Sequence, residues 1–314
     1  MPEETSPTIV IVTPILNEAA VLPELIGRLT AVFDRTGDLR WRAILVDDGS
    51  TDDSRALVRA AAARDRRFEL VELSRNFGFQ SALTAGLAAA AGADAVVTMD
   101  ADLQDPPEVI PQLVAAWREG AEVVRAVRRT RAETGGRRWA FDLFHACYGR
   151  LTDFPIEPNS GTFGLLSREA VAAFNALPER NRFFPGLRAW IGFKRADVVY
   201  DRQARAAGES QQTLRRLVRY ALDGLFSFSH LPLRLLTYSG LFVAFIGFAL
   251  GGFFAVRRIL GVETAATGFT TLVTLILFLG GVQLIAIGVL GEYLGRVYDE
   301  VKRRPNYIVK KDRP

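Results

Sequence analysis

Two carboxylates one residue apart, Asp100 and Asp102, stand in the stretch AVVTMDADLQDPPE from Ala95 to Glu108. The stretch opens on apolar, β-branched residues with the composition of a buried strand, so the carboxylates fall at a strand's end. Carboxylates so placed can share a divalent cation. Mg²⁺ and Mn²⁺ prefer oxygen ligands and commonly take one or two carboxylates together with substrate phosphates. Asp105, Pro106, Pro107 and Glu108 then read as a helix start, with Asp as N-cap, prolines in the first turn and an acid near the positive end of the dipole. An Asp-x-Asp alone serves equally well as a solvated acidic turn, so its neighbours elsewhere in the chain must decide.

Those neighbours follow a pattern. Thr8 to Ile15 is a β-branched apolar run ending in Asn17 and Glu18, and Val21 to Phe33 then has helical spacing. Arg42 to Val46 is a second run, ending in Asp47, Asp48, Gly49 and Ser50 before an Ala- and Arg-rich helix. Phe68 to Leu73 is a third, followed by Ser74, Arg75 and Asn76, then a small-residue helix, Gln80 to Ala91, that can pack closely. Ala95 to Met99 is the fourth strand and Glu122 to Val127 a fifth. Strands alternating with helices predict an α/β fold with a mostly parallel sheet covered on both faces. Ligands of such sheets sit beyond the carboxyl ends of the strands. Four polar clusters at four equivalent ends point to one nucleotide-type site. The glycine-rich dinucleotide fingerprint and the P-loop are both absent, which argues against a nicotinamide enzyme or an NTPase.

A basic stretch follows the fifth strand, with Arg128, Arg129, Arg131, Arg137 and Arg138. Any one of them suits a solvated surface; as a group beside a metal site they can hold a phosphate bidentately. Trp139 to Leu151 reads as an amphipathic helix, and His145 on it, like His230, suits packing better than catalysis. Asn159 to Thr162 reads as a tight turn, Arg168 to Leu177 as a helix, and Asn181 to Phe193 as an irregular aromatic segment able to wall a pocket.

The composition divides the chain. It is 314 residues long, 49% hydrophobic and of net charge +4, and its apolar excess lies after residue 232. Leu235 to Val256 is 22 residues without a charge, and Ala265 to Gly291 is 27 with Gln283 its only strongly polar side chain. About 20 apolar residues cross a bilayer, so both read as transmembrane helices joined in a hairpin. Thr213 to Leu231 places leucines on one face and Arg215, Arg216 and Arg219 off it, as a helix lying in a membrane interface would. Basic residues flank the hairpin on both sides, which puts the N-terminal domain in the cytoplasm and the chain, as a multi-pass protein, in the inner (cytoplasmic) membrane. The expected organisation is a catalytic domain over 1–210, a juxtamembrane helix over 211–234, the hairpin over 235–291 and a cytoplasmic tail over 292–314. The lone Cys147 permits no internal disulfide and suits a reducing compartment. The first eight residues lack the basic start of a signal peptide. No zinc-ligand spacing or RNA-binding motif occurs, so a membrane surface, not nucleic acid, is the expected partner for the basic charge.

Taken together, these residues resemble the family-2 glycosyltransferases of GT-A fold. The chain is most similar to the polyisoprenyl-phosphate glycosyltransferases, such as bactoprenol glucosyltransferases and dolichol-phosphate mannose synthases. The matching motifs are Pro14-x-x-Asn17-Glu18, Asp47 to Asp52, Ser74-Arg75-Asn76-x-Gly78, Asp100 to Glu108, Glu179 to Phe183, Tyr200-x-Arg202 and Gly208-Glu209-Ser210. The resemblance implies that Pro14, Asn17, Glu18, Asp47, Asp48, Arg75 and Asp100 hold the nucleotide. It implies that Asp100 and Asp102, with Gln104 beside them, hold Mg²⁺ or Mn²⁺ on the diphosphate. It implies a polyprenyl phosphate acceptor whose phosphate is positioned by Arg128 and Arg138, and an inverting transfer of one sugar.

The chain departs from that pattern at two places. Where many relatives have Asn-Ser/Thr-Gly-Asp-Phe-Arg, this chain has Asn159-Ser160-Gly161-Thr162-Phe163-Gly164, so an aspartate sometimes regarded as a base is Thr162 and an arginine is Gly164. Gln212-x-x-Arg215-Arg216 echoes a motif of processive synthases but lacks its tryptophan, and two spans offer little from which to build a polymer channel. Single transfer is therefore the expectation, with UDP-glucose the first donor and GDP-mannose, UDP-N-acetylhexosamine or an aminoarabinose donor as alternatives. A catalytically silent nucleotide-sugar-binding scaffold is the reading from outside the enzymes. Glycines in both spans permit close helix packing and a homo-oligomer. Tyr307, Ile308 and Val309 could add a strand to a neighbouring sheet.

Overall fold

The computed structural model describes residues 6–129, 160–180, 182–201, 231–260 and 268–310. Seven strands form one sheet, in the order β3-β2-β1-β4-β6-β5-β7. The strands are β1 (Thr8–Ile15), β2 (Arg40–Asp47), β3 (Phe68–Glu72), β4 (Ala95–Thr98), β5 (Val123–Arg128), β6 (Ser160–Ser167) and β7 (Arg195–Tyr200). The helices are α1 (Leu22–Arg35), α2 (Ser54–Arg64), α3 (Phe79–Ala89), α4 (Ile110–Arg118), α5 (Arg168–Ala176), α6 (Phe184–Trp190), α7 (Leu231–Ile259) and α8 (Phe269–Val301).

Alternate residues of the central strands feed two cores. Ile9, Ile11, Ala43 and Leu45 pack with Leu25 and Leu29 of α1 and Leu113 of α4. Val10, Val12, Ile44 and Val46 pack with Leu83 of α3, Phe174 of α5 and Leu187 of α6. Burial on both faces is why these strands are continuous apolar runs. Helix α3 sits close on the sheet: a methyl on Gly86 would fall 2.2 Å from Val12 Cγ1 and 3.0 Å from Val46 Cγ2.

β6 alone runs against its neighbours, pairing antiparallel with β4 (Thr98 opposite Gly164) and with β5 (Val127 opposite Ser160). The reversal matters for the site, because it brings the start of β6 to the edge where β4, β5 and β7 end. The segment Asn181 to Phe193, expected to be irregular, contains the buried helix α6 with Pro185 in its first turn. Pro at that position costs no backbone donor, which is how an aromatic, proline-containing stretch becomes helical. Asp105 does not cap a helix: a 3-10 turn, Pro107–Val109, intervenes with Pro106 at its N-cap.

The two long helices α7 and α8 span 29 and 33 residues and touch each other. Among the described residues one segment, Phe278–Val301 of α8, is long and apolar enough to cross a membrane, whereas the apolar stretch of α7, Leu236–Leu250, is shorter. α8 continues ten residues beyond Gly291, where the tail was expected to begin. Among the described residues, a methyl on Gly240, Gly247, Gly252, Gly280, Gly281 or Gly288 would meet nothing within 4 Å.

After α8 the chain turns back to the sheet. Val309 bridges antiparallel to Leu73. Ser74 N donates to Ile308 O at 2.8 Å and Lys310 N to Glu72 O at 2.7 Å. Tyr307 packs against the core between α3 and α5. The strand-like tail thus covers the open edge of its own β3, as edge strands commonly require. A second tie joins Arg180 N to Glu300 Oε1 at 2.7 Å, which connects the motif Glu179 to Phe183 with the end of α8.

Candidate active site

The four predicted clusters Asn17 with Glu18, Asp47 with Asp48, Arg75 with Asn76, and Asp100 with Asp102 lie at the carboxyl ends of β1 to β4, and the loops there are laced together by polar side chains. Asn17 is in the left-handed region at φ 56°, a conformation that asparagine tolerates well. Its Oδ1 accepts from Thr51 N at 2.8 Å, and its N donates to Ser50 Oγ at 3.0 Å. Glu18 N donates to Ser54 Oγ at 2.9 Å. Pro14 is buried within β1 opposite Val46.

The adjacent aspartates Asp47 and Asp48 face different partners. Asp47 accepts from Gly49 N at 3.2 Å and Ser50 N at 3.1 Å, and pairs with Arg55 Nε at 3.1 Å. Asp48 accepts from Phe77 N at 2.7 Å and Gly78 N at 2.9 Å, so it fixes the turn that carries Arg75. Burial pushes the Asp48 carboxyl up from its ordinary value, against the two amides that favour its charge. Gly49, at φ +82°, lets that loop approach closely: a Cβ there would lie 2.7 Å from Asn76 N. The exposed Arg75 guanidinium lies over the Phe77 ring at 4.0 Å.

Beyond β4, Leu103 takes a left-handed φ of 59° while its side chain is 1% exposed in the core. This anchored kink lies between Asp102 and Gln104, where Gln104 N donates to Asp102 Oδ1 at 3.1 Å. The reversed strand meets Asp100 here, for Thr162 Oγ1 donates to Asp100 Oδ1 at 2.9 Å. Burial first, and the charge of Asp105 second, push the Asp100 carboxyl up to about 6, with the Thr162 hydroxyl opposing. Carboxylates crowded in this way favour a bound cation. Among the described residues no group of three or more His, Cys, Asp or Glu could hold a metal ion. Two carboxylates completed by substrate phosphates is the arrangement Mg²⁺ and Mn²⁺ commonly adopt, so the donor set fits such an ion.

Arg128 comes from β5 and Tyr200 from β7, opposite each other in register, and the Arg128 charge acts on Asp100. Asp105 is fully buried beneath them. Arg188, 3% exposed, comes from α6 and donates to Gly161 O at 3.1 Å. The absence of a side chain at residue 164 is explained locally, since a Cβ on Gly164 would lie 2.5 Å from Val124 O and 3.2 Å from Arg188 Nη1. Sequence reasoning missed Thr98, Asp105 and Arg188 as parts of this constellation. Arg131, Arg137, Arg138, Asn159, Arg202, the helix 139–151 with His145, and nearly all of the juxtamembrane helix lie outside the described residues.

Comparison with known proteins accords with this geometry. The model for glycosyl transferase family 2 matches residues 10–174, from β1 into α5 and more than half of the chain. The chain belongs to glycosyl transferase family 2. This glycosyltransferase is 41% identical over 302 residues to the SfII prophage-derived bactoprenol glucosyl transferase of Shigella flexneri, covering 96% of this chain and 97% of that protein. It is 44% identical over 301 residues to an uncharacterised glycosyltransferase of Synechocystis, covering 95% and 93% respectively. Its fold is similar to that of the mannosyltransferase PcManGT of Pyrobaculum calidifontis, solved with GDP-mannose and Mn²⁺. The TM-score is 0.50 at 17% identity, covering 96% of this chain and 86% of the other.

Proposed function

We propose that this family-2 glycosyltransferase moves one sugar from a nucleotide sugar, UDP-glucose first among the candidates, to polyprenyl phosphate at a membrane surface. The observation that carries the reading is the meeting of Asp100 and Arg128 at one strand edge, a carboxylate for the donor's cation beside a guanidinium for an acceptor's phosphate. The identity to a bactoprenol glucosyl transferase along nearly the whole chain supports the same acceptor and sugar.

In this reading Asp100 and Asp102 hold Mg²⁺ or Mn²⁺, and Gln104 completes their surroundings. The ion, when bound, neutralises charge on the departing nucleoside diphosphate. Pro14, Asn17, Glu18, Asp48 and Arg75 border the nucleotide. Asp47 contributes by holding its loop, since its carboxylate already meets two amides and Arg55. Asp48 has accepted two hydrogen bonds, and an ionised carboxylate has capacity for about four, so it can also receive a donor from the nucleotide. A phosphate acceptor carries anionic oxygens at neutral pH and needs orientation more than deprotonation. Arg128, with Arg138, supplies that orientation, and attack in line with the leaving group inverts the anomeric centre. The helices α7 and α8, as a membrane hairpin, keep the cytoplasmic active site at the depth of the lipid's head.

The test is a donor panel. Purified protein in lipid receives undecaprenyl phosphate, Mn²⁺ or Mg²⁺ and each labelled nucleotide sugar in turn, with Asp102→Ala as control. Label entering the lipid from one donor, dependent on metal and abolished in the variant, is the expected result. Turnover that passes label only to water or to a soluble acceptor would overturn the assignment.

A further inference from the structure

Tyr200 ends β7 with only 5% of its surface exposed. Its ring meets Phe163 edge-on, with centroids 5.5 Å apart. Its hydroxyl donates a hydrogen bond to Asp105 Oδ1 and accepts one from Arg128 Nε at 3.2 Å. Burial first, and the charge of Asp105 second, push the phenol's ionisation well above its ordinary value, so it remains a donor.

Asp105 is the unusual partner. It is fully buried, and its second oxygen, Oδ2, has no hydrogen-bond partner among the described residues. A buried carboxylate is retained where a cation is held close and its remaining lone pairs are met, and it is otherwise unfavourable. The cation here is Arg128, whose Nη2 lies 3.7 Å from Asp105 Oδ1. Gly161 flanks the same Nη2, and a Cβ there would approach to 2.9 Å. The guanidinium is therefore fixed at Nε by the phenol oxygen and at Nη2 by the charge of Asp105, in a space that Gly161 leaves open. Its side chain is still 27% exposed, which leaves part of the planar fork for an oxyanion.

We propose that Tyr200 and Asp105 are positioning residues that set the orientation of the Arg128 guanidinium toward the acceptor's phosphate. This rests on the reading of Arg128 given above. The pair acts through Arg128 and touches no reacting atom. A long, flexible side chain held in one orientation before the acceptor arrives has less freedom to lose on binding.

The experiment measures KM separately for undecaprenyl phosphate and for the nucleotide sugar, in the full-length enzyme in lipid. Tyr200→Phe removes only the hydroxyl. It is expected to raise the acceptor KM about tenfold, the scale of one charge-assisted hydrogen bond, while the donor KM stays as in the unaltered enzyme. Arg128→Lys keeps the charge and loses the fork, and the double variant is expected to be no worse for the acceptor than Arg128→Lys alone. A purely structural tyrosine predicts the opposite, with losses that add and a donor KM that moves as well. If Arg128→Lys raises the acceptor KM and Tyr200→Phe does not, the inference is overturned and the role of Arg128 stands. If Arg128→Lys leaves the acceptor KM unchanged, the reading of Arg128 fails, and the inference with it. Should Tyr200→Phe not yield folded enzyme, Gly161→Ala crowds Nη2 from the other side. It is expected to raise the acceptor KM, and an unchanged value overturns the proposal.

Discussion

The Thr162 hydroxyl donates to Asp100 Oδ1 at 2.9 Å, and Thr98 Oγ1 in turn donates to the Thr162 carbonyl at 2.5 Å. A residue that resemblance marks as a place for an aspartate is here a donor to one. A carboxylate at residue 162 would add like charge beside Asp100, whereas the hydroxyl lessens the repulsion already present there.

Thr162→Val keeps the shape and removes that donor. Asp100 then loses its fixed orientation and an interaction that favours its charge. The Mn²⁺ concentration for half-maximal transfer is expected to rise about tenfold, as for the loss of a hydrogen bond to a charged group. Activity at saturating Mn²⁺ returns most of the way. A metal titration on purified enzyme decides it, and an unshifted midpoint would show that Thr162 does not act on the metal site.

Asp48 links the end of β2 to the turn before α3 through the amides of Phe77 and Gly78. Asp48→Ala leaves two half-buried donors without their acceptor. The expected destabilisation is about 1–3 kcal/mol, read as a lower urea midpoint, together with a raised KM for the nucleotide sugar because the loop bearing Arg75 is released. A variant with normal stability and normal donor KM would remove Asp48 from both roles.

How much of this was legible in the sequence differs from residue to residue. β1 to β4 announced themselves because strands buried on both faces are unbroken apolar runs, and the site clusters followed from their ends. Where β6 begins, the sequence shows only a tight turn, because Ser160 to Ser167 includes two glycines and a threonine that pairing between β4 and β5 turns into a strand. β7 alternates, with Ala196 and Val198 inward and Arg195 and Asp197 outward, and it was not read as a strand. Asp105 looked like a cap because Pro106 follows it; nothing local says that a tyrosine 95 residues later will donate to it. Contacts across a reversed strand have no periodicity to betray them.

Gly86 offers a test of the packing itself. A Cβ there would lie 2.2 Å from Val12 Cγ1, so Gly86→Ala must push α3 off the sheet. Overpacking of this kind costs about 1–3 kcal/mol. Thermal unfolding in detergent should show a lower midpoint, with donor KM affected because α3 begins at the turn held by Asp48. An unchanged midpoint would mean that the helix can slide without loss.

The tail that returns to β3 also sets an order of events during synthesis. Domains generally fold as their N-terminal parts emerge, at roughly 5–20 residues per second, so β1 to β7 can assemble long before Val309 exists. Until both long helices have been translated, Ser74 N and Glu72 O lack their partners in the tail. The β3 edge of this glycosyltransferase's sheet is thus covered by residues made only after α7 and α8, and these last hydrogen bonds form once α8 has turned back.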